Sequence, residues 1–232
     1  MICRDRHLMK LGTPSLGLGL RSGFSGSGGI AIPALDLNFI NGEALDGRIT
    51  ASGGVNGTRV NSSGLIVPAT APRFDYDPVT LVARGLLIEG ARTNLVLRTD
   101  ALDHAYWDAK NRITVSVDVL AGPDGTMNAE KIVETATSGE HQIGRNVITA
   151  STATLYAHSF YAKAGERTAM RAGDIYGLTS LTLFCNLNNG ATSNKSGGTA
   201  GAVLFSAAAG NSWYRFGCAD TSNATELGFV RF

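Results

Sequence analysis

Alternation is the clearest pattern along the chain. Ile113, Val115, Val117 and Val119 alternate with Thr114, Ser116 and Asp118, the two-residue period of a half-buried strand. The turn AGPDGT follows at 121–126. Further strand-like runs are AEKIVET, HQIGRNVI, TLYAHSFYAKA, LTLFCNL, GAVLFS, SWYRFGCA and ELGFVRF, separated by clusters such as NLNNGATSNKSGG. Strands recurring between Gly, Asn, Ser and Asp clusters predict a β-sandwich. No run has the 3.6-residue period of an amphipathic helix ten or more residues long.

Upstream, 35–67 reads as short strands and tight turns: LDLNFI, NGEALDG, RIT, SGGVNG, TRV, NSSG and LIV. The Asn-Gly pairs at 41–42 and 56–57 are hairpin signals, because both residues tolerate positive φ. A compact β-meander is expected there. Between the two β regions, RTDALDHAYWDAK at 98–110 suits a short helical turn or an irregular lead-in.

Composition supports this picture. Of 232 residues 29 are Gly, well above the usual share of about 7% and without a collagen period. Such a chain is rich in turns, as an all-β protein is. Hydrophobic residues make up 44% and charged residues 17%, enough apolar material for a core and too little charge for a disordered chain. The net charge is +1 with the signs interspersed, so no basic nucleic-acid surface is expected. No apolar run approaches the roughly 18 residues of a membrane span.

Residues 11–34 form a Gly/Ser/Leu-rich stretch, so 1–34 is expected to be a leader or anchoring arm. MKLGTPSLGLGL suggests Met9 as an alternative start. Cys3, Cys185 and Cys218 fit neither a disulfide framework nor a CxxC metal site. Free thiols, buried for the two in strand-like runs, are preferred to a cross-strand disulfide.

The stretch RFDYDPVTLVARGLLIEGARTNL at 73–95 carries the densest candidate chemistry. Asp75 and Asp77 would share a strand face, and two carboxylates there could hold calcium or act as an acid/base pair. The alternative is structural. Asp77-Pro78 opens a turn with Asp capping backbone amides, Asp75 pairs with Arg73 or Arg84, and 85–88 is buried. Glu89 and Arg92 then close that run as a charged pair, and Asn94 satisfies backbone groups at the junction. The structural reading is preferred.

This stretch, preceded by TRVNSSGLI, resembles a recurring element of tailed-bacteriophage virion proteins. There it precedes a module with an aromatic pair, here Tyr106–Trp107, a PDGT turn, an AEKI-type strand and a YxxSFYxKAG strand. The resemblance covers roughly 35–232. It departs at Leu81, where glycine commonly follows DPVT, and at Gly90, where a second acidic residue is common. The family modules also run on through one more strand, which a partner or neighbouring subunit could supply here.

The resemblance implies a head-fibre, spike or tail protein located in the virion, with a carbohydrate-binding-like jelly roll. The organisation expected is an arm over 1–34, a β-meander and connector over 35–96, and a jelly-roll-like sandwich over 97–232. Expected partners are other virion proteins, further copies of the chain (preferably as a trimer) and host-surface glycans, with no nucleic acid. A mechanical cement or connector protein, or a glycan-binding accessory module of a polysaccharide-degrading enzyme, are the alternatives. No enzyme activity and no cofactor are expected: GxSxG, HExxH and GxxxxGK[ST] are absent. His104 beside Asp103 lacks a nucleophile motif, and His158, alternating with Tyr156 and Phe160, is expected in the core.

Sugar sites on sandwiches use aromatic platforms flanked by polar groups. The aromatics available are Tyr106, Trp107, Tyr161, Tyr176, Trp213 and Tyr214. Of these Tyr106, Trp107, Tyr161 and Trp213 are the candidate glycan contacts, with Trp107 and Trp213 also large enough to be core plugs.

Overall fold

A computed structural model describes residues 2–10, 39–40, 45–51, 57–146, 148–175, 181–223, 226–227 and 230–231. The fold is all-β, with no α-helix among the described residues. Two hairpins come first. β2 (Gly57–Val60) pairs with β3 (Ile66–Ala69), and β4 (Phe74–Tyr76) with β5 (Ala83–Leu86), as separate two-stranded sheets. The expected meander is therefore a pair of hairpins. Its predicted strand RIT is not a strand: Arg48 lies in a turn that Asp46 closes. Residues 11–38 and the Asn41-Gly42 pair lie outside the described residues, as does Asn56.

The NSSG turn forms as its composition dictates. Asn61 accepts the Gly64 amide through its carbonyl at 2.9 Å and the Ser63 and Leu65 amides through its side chain. Gly64 takes φ 76°, a conformation that costs glycine nothing.

The remainder is two antiparallel sheets. One runs β14 (Val203–Ala208), β15 (Tyr214–Thr221), β10 (Leu155–Ala162), β1 (Ile2–Lys10), β7 (Met127–Glu134) and β6 (Ile113–Ala121). The other runs β13 (Thr192–Ser196), β12 (Leu181–Asn186), β11 (Ala169–Ile175), β17 (Val230–Arg231) and β8 (Gly144–Arg145). A short pair of β9 (Ile148–Thr149) and β16 (Glu226–Leu227) completes the set. The two sheets share one core: Tyr156, Phe160, Phe216 and Cys218 come from the first, and Ala172, Leu181, Leu183 and Cys185 from the second.

Within 1–34 the described residues are Ile2–Lys10, a strand that pairs with β10 and touches β7 through Ile2 and Glu130. One sequence expectation is corrected here. The alternation in β6 holds at Ile113 and Val115 and then fails. The register with β7 shifts between Ser116 and Leu120, Asp118 takes φ 53°, and Val117 and Val119 are exposed. A bulge of this kind turns the strand face over.

Strand β15 needs a glycine for packing. A Cβ on Gly217 would sit 2.1 Å from the Phe205 ring and 2.6 Å from the His158 carbonyl oxygen.

The hairpin unit docks on the sandwich through the PDGT turn. The Ile66 amide donates to the Pro123 carbonyl at 3.1 Å, and the Leu65 side chain lies against Gly125. A Cβ on Gly210 would lie 3.1 Å from the Pro78 carbonyl oxygen. Two segments far apart in sequence, TRVNSSGLI and PDGT, thus meet in space.

Candidate functional site

In the 73–95 stretch the charged groups hold the chain together. Asp75 accepts the Val60 amide at 2.7 Å, tying the two hairpins. Asp77 accepts the Val79 and Thr80 amides at 2.9 and 2.8 Å and pairs with Arg84 at 2.6 Å. These amides, with the Arg84 guanidinium, hold the Asp77 carboxyl at about 2, well below its ordinary value.

Glu89 pairs with Arg73 at 2.8 Å rather than with Arg92, whose guanidinium donates to the Ala91 carbonyl. Asn94 accepts the Val96 amide at 3.1 Å. The run 85–88 is buried only in part: Gly85 is inside, but Ile88 is 65% exposed. Among the described residues neither a two-carboxylate cleft nor an Asp75–arginine ion pair forms. Among the described residues no cluster of three or more His, Cys, Asp or Glu could hold a metal.

The candidate aromatics separate into core and margin. Trp107 and Trp213 are 3% and 1% exposed. Their indole N–H groups donate to the Arg98 and Ala121 carbonyls at 2.9 and 3.1 Å. Both indoles are therefore core residues whose polar edge is satisfied, and neither offers a face to a sugar. Tyr106 packs edge-on against Trp107 and lies under the Arg145 guanidinium at 4.8 Å, while its hydroxyl accepts the Leu97 amide. Tyr161 is half-buried against Ala129, Ala209 and Trp213. The structure does not bring the four together as a platform. Tyr176 lies outside the described residues.

One concave feature was not foreseen. A trough of about 820 Å³ opens between β7, the loop after it, and the segment leading into β11. Its apolar lining includes Ile113, Ile132, Met170 and Leu187. Ion pairs Lys131–Glu166, Glu134–Arg167 and Glu140–Arg171 line it. Arg167 holds the Glu134 carboxyl below its ordinary value, and Lys131 does the same for Glu166.

Gln142 also lines the trough, and its backbone is fixed by a bridge to Asn111, with hydrogen bonds of 2.9 and 3.0 Å. Its side-chain oxygen is buried without a partner, as is the Thr135 hydroxyl nearby in the chain. The charges come from separate stretches around 131–134, 140 and 166–171. The one local signal was the charge cluster of GERTAMR at 165–171.

The remaining titratable candidates are structural. His104 accepts the Tyr106 amide at 2.9 Å within a turn. His158 is buried with its ring 5.5 Å from that of Phe160. Cys185 and Cys218 are free and buried, and burial pushes both thiols up to about 12. Neither a protein-family model nor a curated protein sequence matches the chain.

Proposed function

We infer that the chain is a structural protein of a tailed-bacteriophage particle: a β-sandwich of jelly-roll type, mounted through its hairpin unit and displayed as a decoration, fibre or spike component. The observation that carries this reading is the exposed apolar surface on that unit. Val79, Val82 and Ile88 are 58%, 62% and 65% exposed, and Leu81 is 48% exposed. All four fall between residues 79 and 88. A concentration of large exposed apolar side chains marks a surface that another protein covers. Particle proteins or further copies of the chain, a trimer by preference, are the partners this reading assigns.

Non-enzymatic function belongs to the same proposal. The carboxylates of the 73–95 stretch are engaged by amides and guanidinium groups. Glu134 and Glu166 in the trough are held toward the ionised form, whereas a general acid for glycosidic cleavage needs a raised pKa. The open trough favours an adhesive module over a purely mechanical connector.

Imaging of purified particles with density assigned to this chain tests the reading. Density on the particle exterior, with the hairpin unit inward, is expected. Density in the interior, or absence of the chain from purified particles, overturns it.

A further inference from the structure

We propose that the free edge of β14 is a self-association surface, where it pairs antiparallel with β14 of a second copy of this chain about a two-fold axis at Ser206. The pair needs only two copies of the chain and is separate from any trimer contact on the hairpin unit. It therefore goes beyond the particle reading.

Backbone accounting locates the surface. β14 is an end strand of the six-stranded sheet and pairs with β15 alone among the described residues. The Ala209 amide donates to the Trp213 carbonyl at 2.9 Å, next to the Ala208–Tyr214 pair that ends the ladder. Bonding alternates along an antiparallel ladder. Val203, Phe205 and Ala207 therefore bond to β15, while Leu204, Ser206 and Ala208 turn their N–H and C=O groups outward. Such a row is a template for another strand.

The two ends of this sheet are not alike. At the far end β6 carries a register shift after Ser116, with Asp118 at φ 53°, which bends the strand and interrupts pairing. β14 has no such defence. Its register with β15 is unbroken over all six residues, and no Asp, Glu, Lys or Arg occurs from Ser196 to Tyr214. Head-to-tail pairing of β14 with β6 of the next copy is thereby blocked. Same-edge pairing is left as the contact that closes.

The sequence of β14 suits its own copy. With the axis at Ser206, the two Ser206 residues oppose each other, Leu204 opposes Ala208, and Phe205 opposes Ala207. Each outward N–H and C=O then meets a partner, and each large side chain meets a small one. A charge near a two-fold axis faces its own copy, and like charges directly opposite destabilise a sheet. The charge-free run avoids this. Ser206, Ala207 and Ala208 are exposed, open to the second copy.

The turn after β14 abuts the hairpin unit, with Gly210 beside the Pro78 carbonyl. The edge thus continues toward the apolar surface at Val79. A six-residue edge is smaller than a standard interface of about 800 Å² per partner, which sets a Kd on the order of 10 μM.

Sedimentation of the full chain from about 1 to 300 μM brackets that constant. A monomer–dimer equilibrium is expected, weakened at least tenfold by Ser206→Lys, which places two ammonium groups at the axis. Thr114→Lys, at an exposed position on the β6 edge, should leave it unchanged. A hydrogen-bonded pair puts its Cα atoms about 5.5 Å apart, within disulfide reach. Under oxidised glutathione Ser206→Cys should therefore exceed both the parent and Thr114→Cys in covalent dimer. Should Ser206→Lys fail to fold, the cysteine variant carries the test.

A monomer throughout that range overturns the proposal. So does association indifferent to Ser206→Lys, or crosslinking of Ser206→Cys no greater than that of Thr114→Cys. Loss of the dimer through Val82→Glu but not through Ser206→Lys would move the contact to the hairpin unit and overturn it too. Absence of the chain from purified particles would overturn the particle reading and leave the pair standing.

Discussion

The Asp75 carboxylate accepts the backbone amide of Val60 at 2.7 Å, and this bond joins one hairpin of the N-terminal unit to the other. Both residues are half-buried. Removing the acceptor leaves an amide donor with little access to water, a loss of about 1–3 kcal/mol. Asp75→Ala is therefore expected to lower the unfolding free energy, read from urea denaturation, by that amount. Asp75→Asn, which keeps an oxygen acceptor, should restore most of it. Equal losses from the two variants would mean that charge, and not the acceptor, matters at this position.

Leu81 supplies a second test from the same unit. Its amide donates to the Asp77 carbonyl at 2.9 Å, closing the DPVT turn, and its φ is 61°. A side chain in the left-handed region costs about 1–2 kcal/mol. Leu81→Gly is expected to stabilise by about 1 kcal/mol, read from urea denaturation. Leu81→Ala keeps the Cβ and should give no gain.

Gly85 presents the converse. It sits at φ 92° beside a register shift between β4 and β5, and a Cβ there would lie 3.2 Å from the Phe39 carbonyl oxygen. Gly85→Ala should cost about 1–2 kcal/mol. An unchanged midpoint would show that the bulge relaxes around an added methyl group.

How much of this could be read in advance depended on how local each cause was. The strands at 155–162 and 181–186 and the turn at Asn61 announced themselves, since apolar runs and Asn/Gly chemistry act over a few residues. β13 did not. Thr192–Ser196 has no apolar member, and its strand form comes from pairing with β12, Cys185 to Thr192 and Leu183 to Lys195. β11 was hidden for a related reason, because Arg171 and Gly173 interrupt its apolar pattern.

The candidate site divides in the same way. Asp77 capping its own turn was legible from Asp-Pro spacing. The partner of Asp75 is a backbone amide with no signature in sequence, and Glu89 selects Arg73 over the nearer Arg92 because β4 and β5 fold back on each other. The trough draws on stretches around 131, 140 and 167, and only the fold brings them together.

Acid and base should act on the chain in opposite senses. Asp77 is depressed from 3.8 to about 2, so it favours the native state fully above its unfolded value, and that contribution disappears as pH falls through about 2. Glu130 is 4% exposed, and desolvation raises its pKa despite the Leu102 amide it accepts at 2.5 Å. The sign is reversed for this group. Stability from Glu130 is complete below its unfolded value and declines as pH rises through the raised native one. Glu130→Gln should therefore raise the melting temperature more at about pH 8 than at about pH 4. Equal shifts at both pH values would show that Glu130 ionises freely in the native state.

The surface of the hairpin unit gives the most direct test of an assembly role. Val82 and Ile88 are 62% and 65% exposed, so replacing either removes little buried contact, and surface changes of this kind usually fall within about 0.5 kcal/mol. A carboxylate within a protein interface, by contrast, is desolvated without a partner and weakens association strongly. Val82→Glu and Ile88→Glu should accordingly leave the unfolding midpoint of the isolated chain nearly unchanged. Both should reduce its incorporation into particles or its self-association, measured by light scattering and by mass spectrometry of purified particles. Val117→Glu makes the matched control, because Val117 is 49% exposed on β6 of the sandwich, away from the motif. Assembly lost equally in all three variants would point to a general effect of added charge. Loss confined to Val82 and Ile88 would identify the hairpin unit as the mounting surface.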